Sequence, residues 1–316
     1  NIPFFVSSPK LFILMDDNTA RVEYLETHDT KISERKIQLN DKILNFSKIE
    51  QIAKAHHGIS TGKNKKYVRA TTEARGGYDV IEEWMLASKT RISTLNAREK
   101  VAGFNADWIS LSGCFVPFDK GGESDSTGGW MPNYYVPTKY FINWAADSVS
   151  DMKTNIGCAW KNEEFFFRKG VTFSVSGQYA PTFRLNSSAV FEAKGSCIFS
   201  DFIPPEDLLG ILCSKFSKFL LKNFVKHTVD CSGDDINALC IPTTVDDNIR
   251  LLVDSIMCKQ KENARYDYAS NEQLEIDRLV YEAYGLNEDD IQEVENWYAR
   301  RYPALAAAQK ANLKKS

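Results

Sequence analysis

Glu192-Ala193-Lys194 is the one place in this chain where residue types and spacing fit a hydrolytic centre. Metal-dependent nucleases set an acidic residue upstream of a Glu-x-Lys, which together hold a divalent ion and orient a water. The nearest upstream acids are Glu163, Glu164, Asp151 and Asp147. The triplet sits between Phe191 and the strand-like Cys197-Ile198-Phe199, where an exposed turn would look the same. Other chemistries lack their residues. There is no G-x-G for a dinucleotide or methyl-donor loop, no G-x-x-x-x-G-K-[ST] and no G-x-S-x-G. Only four His are present, and His56-His57 are adjacent, so their rings point different ways and a shared metal is not expected.

Base modification also lacks its centre. The only adjacent prolines lie in Phe202-Ile203-Pro204-Pro205-Glu206. An adenine-N6 methyltransferase needs Asn/Asp-Pro-Pro-Tyr/Phe, whose polar side chain accepts the amine protons while the aromatic ring stacks the flipped base. Ile203 and Glu206 do neither. No catalytic residue is assigned within this chain.

What remains is chemistry suited to phosphates. Gly58-Ile59-Ser60-Thr61-Gly62-Lys63-Asn64-Lys65-Lys66-Tyr67-Val68 frames small hydroxyl residues with two glycines and leads through a basic turn into a strand. Such a loop exposes backbone N–H groups and ammoniums together. A second cluster is Val116-Pro117-Phe118-Asp119-Lys120-Gly121-Gly122-Glu123, then Gly128-Gly129-Trp130 and Tyr140-Phe141-Ile142-Asn143-Trp144. A third alternates basic and hydroxyl residues with aromatics over Phe167-Arg168-Lys169-Gly170-Val171-Thr172-Phe173-Ser174, then Phe183-Arg184. The candidate phosphate-binding set is therefore Lys63, Asn64, Lys65, Lys66, Lys120, Arg168, Lys169 and Arg184, with Lys226 and His227 as further phosphate ligands. Gly58, Gly62, Gly121 and Gly122 are read as backbone formers.

The elements that must position these residues change character along the chain. Leu11–Met15 and Arg21–Leu25 flank the turn-rich Asp16-Asp17-Asn18-Thr19, which predicts a hairpin. Residues 26–48 are charged and mixed and read as a connector. From 49 to 200 short strands and turns are expected, with strands at 140–144, 171–175 and 190–191. Pro204-Pro205-Glu206-Asp207 starts a helix whose apolar stripe runs from Leu208 to Leu220, leaving Lys215, Lys218 and Lys222 off it. A second helix is predicted from Asp246 to Lys259. A helical hairpin follows, with Ile276, Leu279, Val280 and Ala283 on one face, Gly285 as the stop and Asn287 as the next cap. Residues 306–316 read as a frayed helix. The expected division is 1–48 as hairpin and connector of a preceding domain, 49–245 as the central domain and 246–316 as a helical tail.

The 316 residues are 43% hydrophobic and 26% charged, and 19 Phe, 13 Tyr and 6 Trp can fill a large core, which excludes general disorder. No apolar run is long enough for a membrane helix, and no charged leader with an apolar stretch opens the chain, so neither a membrane partner nor secretion is expected. The absence of an initiator Met fits a piece of a longer polypeptide. Seven cysteines, an odd number without C-x-x-C spacing, argue against a disulfide framework or zinc site and favour the cytoplasm. The net charge of −3 hides an asymmetry. Lys54, Lys63, Lys65, Lys66, Arg69 and Arg75 face a single acid, Glu73, over 54–75, whereas acids dominate 262–301. A basic face on a neutral chain can still bind phosphates.

Taken in order, these segments resemble the C-terminal target recognition region of large bacterial adenine-N6 DNA methyltransferases, the type IIG restriction–modification enzymes and the related BREX phage-defence methyltransferases. The family's G-x-x-T-G-x-N-x-x-[FY] is met by Gly58, Thr61, Gly62, Asn64 and Tyr67, and its [PF]-[YF]-x-K-G-G-E by Pro117 to Glu123. Asn143-Trp144 ends the next strand, Phe167 to Ser174 fits [YF]-x-x-G-[IV]-T-[WF]-S, and Phe191 to Phe199 fits F-x-x-x-G-x-S-I-F with Cys197 in the Ser place. Leu208 to Lys215, Gly233 to Pro242 and Ile276 to Leu286 complete the series, so the resemblance covers about 50–300. Two departures stand out. The family's basic-aromatic run after Lys-Gly-Gly is replaced by the acidic, glycine-rich Ser124–Asn133, and its Asn-Pro-Thr by Lys226-His227-Thr228.

The resemblance implies an α/β (α+β) specificity domain with a mixed, largely antiparallel sheet, followed by a C-terminal helical segment. It implies double-stranded DNA as partner, base edges read in the major groove, and no cofactor in this chain. S-adenosylmethionine and the catalytic domain would belong upstream in the same polypeptide, whose activity would be site-specific adenine methylation, with or without DNA cleavage. Two other classes compete: a protein–protein docking module of a phage-defence complex, carried by the acidic helices, and a metal-dependent nuclease.

Overall fold

The computed structural model describes residues 23–26, 33–39, 42–74, 76–105, 113–121, 130–175, 181–186 and 188–314, with side chains from 45 onward. The strand expected at Leu11–Met15, its turn at 16–19, Arg75, Gly122 and Ser124–Gly129 lie outside the described residues.

Three four-stranded sheets carry the fold. The first is antiparallel and joins β1 (Glu23–Glu26), β2 (Ser33–Leu39), β3 (Lys42–Lys48) and β12 (Cys240–Pro242). The connector expected over 26–48 is thus two paired strands. Leu39 opposes Lys42, and the alternation of Ile37 and Leu39 is a strand signal that the charge of the segment obscures. The second sheet runs β10 (Val190–Phe191), β6 (Phe115–Asp119), β7 (Tyr140–Asn143), β5 (Val68–Ala70), with β10 and β6 parallel and the other pairs antiparallel. The third runs β4 (Ala53–His56), β11 (Cys197–Ser200), β8 (Gly170–Phe173), β9 (Phe183–Asn186), all antiparallel. The class is a mixed α/β fold with largely antiparallel sheets and C-terminal helices.

The third sheet divides two apolar cores. Side chains alternate along β11, so Ile198 joins one core while Cys197 and Phe199 join the other. The smaller core gathers Trp144, Phe166, Phe191 and Met152 around the second sheet. Helices α1 (Lys89–Ser93), α2 (Ala97–Ala102) and α3 (Ala146–Thr154) flank this half. The larger core packs the third sheet and β12 against α4 (Pro205–Cys213), α5 (Lys215–Leu220), α6 (Asn248–Glu262), α7 (Glu272–Ala283), α8 (Glu288–Arg301) and α9 (Pro303–Leu313). Its members lie on both sides of residue 245, Ile241 and Ile249 among them. Gly210 of α4 lets α6 close in, since a Cβ there would lie 2.4 Å from Ile249 Cγ2.

The single helix expected from Pro204 is two helices and a wide turn at Leu221–Val225. Ser214 is extended (ψ 155°) and its hydroxyl accepts from Ser217 N at 3.1 Å, so it caps a new helix rather than continuing the old one. Both helices are buried all round, as the centre of a core requires. Lys215, Lys218 and Lys222, expected off the stripe, are consequently buried. Downstream, Gly285 stops α7 with φ +66° and Asn287 Oδ1 accepts from Asp290 N at 2.9 Å, as the spacing predicts. Among the described residues no helix is long and apolar enough to cross a membrane.

Candidate nucleic-acid interface

Two concave surfaces collect most of the basic residues singled out by sequence. The smaller, about 680 Å³, is lined by Ser60, Gly62, Lys63, Asn64, Lys65 and Lys66. Its loop is held rigidly. Ile59 N donates to Phe191 O at 2.9 Å, and Ser60 exchanges backbone bonds with Ala159 at 2.9 and 2.8 Å. Gly58 is required because a Cβ would lie 1.8 Å from Phe191 O, and Gly62 because its φ is +66° with Gly157 O beneath it. Buried Thr61 donates to Asn64 Oδ1 at 2.6 Å, so the Asn64 oxygen is committed to the loop. Lys66 pairs with Asp151, which also accepts from Tyr67 OH at 2.7 Å. The Lys66 ammonium hydrogen-bonded to Asp151 holds that carboxyl below the usual range, and the bond raises Lys66 in turn. Among the described residues, the exposed ammoniums of Lys63 and Lys65 have no ion-pair partner.

The larger concavity is a cleft of about 1280 Å³ between the sheets and the helices. Its lining comes from β6, the 135–140 segment, the end of β9 and the turn after it, and from residues of α1, α4 and α6. Its basic lining is Lys89, Lys120, Lys139, Lys169, Arg184, Lys261 and Arg265, and its acidic lining is Glu73, Asp119, Glu206 and Asp254. Cations outnumber carboxylates in this lining, although Lys120, Lys169 and Arg184 are ion-paired with Glu192, Glu206 and Asp119. Gln260 fixes the cleft wall. Its Nε2 donates to Asn133 O and its Oε1 accepts from Tyr135 N, both at 3.1 Å. Tyr134 between them takes φ +67° and donates to Gln273 Oε1 at 2.6 Å.

Within the cleft, the sequence-predicted residues are tied down to different degrees. Arg184 is buried at the floor and its Nη2 donates to Asp119 Oδ1 at 3.2 Å. Lys120 is held on Glu192 at 2.5 Å, and Lys169 is ion-paired with Glu206. Gly121, with φ +95°, turns the chain at the end of β6. Arg168 lies outside both concavities, donating to Ser200 O at 3.1 Å and Asp201 Oδ1 at 2.5 Å over the rings of Phe165 and Phe199. Lys226 and His227 are not brought to either concavity. Lys226 lies 3.8 Å from Asp235, and His227 Nδ1 donates to Lys222 O at 2.9 Å. Lys89, Lys139, Lys261, Arg265 and Gln260 were not foreseen. Lys261 lies in the last turn of α6 and Arg265 in the turn beyond the helix.

Glu192 and two of the acids upstream of it, Glu163 and Asp151, are each ion-paired with a lysine. Phe191 opposes Asp119 across the β6–β10 pair, so Glu192 and Asp119 face opposite sides. Accordingly Glu192 meets Lys120 while Asp119 meets Arg184 and Thr172. Glu163 is spent on Lys153 and Trp160 Nε1, both at 2.6 Å. Among the described residues no group of three His, Cys, Asp or Glu is placed to hold a metal. His56 stacks at 4.1 Å on Phe165, and burial lowers its pKa; His57 Nδ1 instead meets Ser196 Oγ at 2.9 Å.

No protein-family model matches the chain, and no curated protein matches it.

Proposed function

We propose that this chain is a duplex-DNA-binding specificity module of a bacterial adenine-N6 DNA methyltransferase of the restriction–modification or BREX type. The observation that carries the reading is the walled cleft whose lining has more cations than carboxylates. The loop at the smaller concavity adds Lys63 and Lys65, which are exposed and have no ion-pair partner among the described residues. Phosphate contacts from such residues fix register and orientation on a duplex, and polar side chains at the rim read base edges. In this reading the module supplies position and sequence choice alone. Methyl donor and transfer chemistry belong to an upstream domain, because the chain has neither the glycine loop nor the Asn-Pro-Pro-aromatic set.

The test is fluorescence anisotropy of the full chain with labelled duplex DNA across a salt series. Lys63→Ala with Lys65→Ala should weaken binding to all sequences and flatten the dependence of log affinity on log salt by about 1.8, at about 0.9 per phosphate contact. Unchanged affinity and slope in the double variant would count against the loop. No retention of any duplex at low salt would remove the reading and leave the docking module in its place.

A further inference from the structure

Among the large apolar residues described, Ile156 is the most exposed, at 103%, so the protein covers none of it. It stands on a tip whose backbone is tied. The residues after α3 run antiparallel to the basic loop, with Ser60 opposite Ala159 through two backbone bonds of 2.9 and 2.8 Å. Two steps along, Gly157 O lies 2.3 Å from where a Gly62 Cβ would be, so the two glycines touch. Consecutive Cα atoms are about 3.8 Å apart, so Lys63 and Ile156, each one residue beyond that contact, are neighbours. The Asn155 side chain closes the tip: its Nδ2 donates to Thr61 O at 3.3 Å and its Oδ1 accepts from Gly157 N at 3.2 Å. Ile156 is thus held out into solvent by a frame that does not need it.

Single exposed apolar residues are ordinary, and charge is what sets this one apart. Lys63 and Lys65 lie on one chain of the tip and Lys161 on the other; all three are exposed and have no ion-pair partner among the described residues. By contrast the exposed Val80, Trp84, Phe202, Val229 and Leu274 each adjoin an Asp or Glu in sequence, which would repel a polyanion. An apolar point among free ammoniums fits a ligand that is anionic outside and apolar just behind, as a duplex is, with stacked bases behind its phosphates. An anionic membrane presents the same order, but holding it takes an extended apolar face. One side chain, isoleucine among the types used, suffices to part a base step.

We propose that Ile156 is a wedge that enters the base stack and bends the duplex, while Lys63, Lys65 and Lys161 hold the phosphates beside it. The ligand rests on the DNA reading; the bend goes beyond it. Taking one isoleucine side chain out of water and unstacking one base step are of similar size and opposite sign. Ile156 therefore changes the shape of an intact duplex more than its affinity. A mismatched step is already weakened, so there the wedge shows as tighter binding.

The experiment mixes the full chain with a duplex carrying a fluorescent donor and acceptor at its two ends, and with the same duplex holding one central mismatch. Energy transfer should rise on binding as the ends approach, by the amount a bend of about 20–90° produces. The mismatched duplex should bind roughly tenfold more tightly than the intact one. Ile156→Ala should lose both effects while the dependence of log affinity on log salt stays unchanged, because an apolar contact releases no counterion. Ile156→Leu, which keeps an aliphatic wedge, should retain both. Since nothing packs on Ile156, neither variant disturbs the fold. Three results overturn the wedge and leave the DNA reading standing: a duplex retained without a bend, an Ile156→Ala that bends it as before, or a flattened salt dependence in that variant, which would mean that the lysine loop itself had moved. Retention of no duplex removes the DNA reading and the wedge together, and Ile156-dependent binding to anionic phospholipid vesicles would then assign the tip to a membrane.

Discussion

Replacing Lys218 by methionine should stabilise the protein at neutral pH. Lys218 lies in α5 and is 4% exposed, and its Nζ meets Met131 Sδ at 3.0 Å, a weak acceptor that cannot replace water around an ammonium. Burial accordingly pushes its pKa from 10.5 down to about 8. The sign follows from proton counting. Between those two values the unfolded chain binds a proton that the folded chain does not, so stability rises with pH across that window. Below it the native state carries the full cost of the buried charge. At about 1.4 kcal/mol per unit, that cost is roughly 3 kcal/mol, less whatever Asp277 and its own relaxation return. Methionine matches the shape of the side chain without a charge, so Lys218→Met should gain about 1–3 kcal/mol at pH 7. Urea denaturation at pH 7, 8, 9 and 10 measures the difference between the two proteins, in which the titrations common to both cancel. The gain should shrink as pH rises toward 10. A variant that is less stable at pH 7, or a gain independent of pH, would refute the reasoning, because either requires Lys218 to be adequately solvated or paired in the native core.

Asp277, buried in α7, is pushed up to about 6 by burial, so its contribution to stability is fully present below the unfolded value near 3.8 and is lost as pH rises through 6. Asp277→Asn keeps an oxygen for Lys215 N and should remove that loss, a change read by urea denaturation between pH 4 and 7. Gly62→Ala should cost about 1–3 kcal/mol, because φ +66° and Gly157 O at 2.3 Å from the new Cβ both oppose it, and it should weaken DNA retention along with the loop.

Legibility differed by the range of the forces involved. Gly285, Asn287 and the strand segments at 140–143, 170–173 and 197–200 were readable because backbone geometry and alternation are local properties. The break at Ser214 was missed because an apolar stripe continues through it, and the competing cap is a single hydroxyl. The pairing of β2 with β3 was missed because its charged residues mask the alternation of Ile37 and Leu39. The loop at Gly58–Lys66 was legible as a unit, since each glycine there meets a backbone constraint. The cleft was not, because its lining comes from segments more than a hundred residues apart, and Lys261 and Arg265 join Arg184 only in the folded chain.

The same distance effect decides which predicted cations remain able to leave their partners. Charge alone ranks Lys66, Lys120, Arg168, Lys169 and Arg184 together, yet each is paired with a carboxylate far along the chain. Pairs with both partners in water are worth at most about 1 kcal/mol, so Lys66 on Asp151 and Arg168 on Asp201 can exchange a carboxylate for a phosphate at little cost. Lys120 and Glu192 are each only 12% exposed, and releasing that lysine would strand a half-dry carboxylate. Lys169 is intermediate: its own ammonium is exposed, but Glu206 is buried in the first turn of α4, where the helix dipole supports the charge it would leave behind. Arg184 is buried and stays on Asp119, so it takes no part in this exchange. Affinity for phosphates should therefore be distributed unevenly, with Lys63 and Lys65 contributing most of the salt dependence, Lys66 and Arg168 less, and Lys120 acting as a fixed brace for the wall against which Arg184 is set.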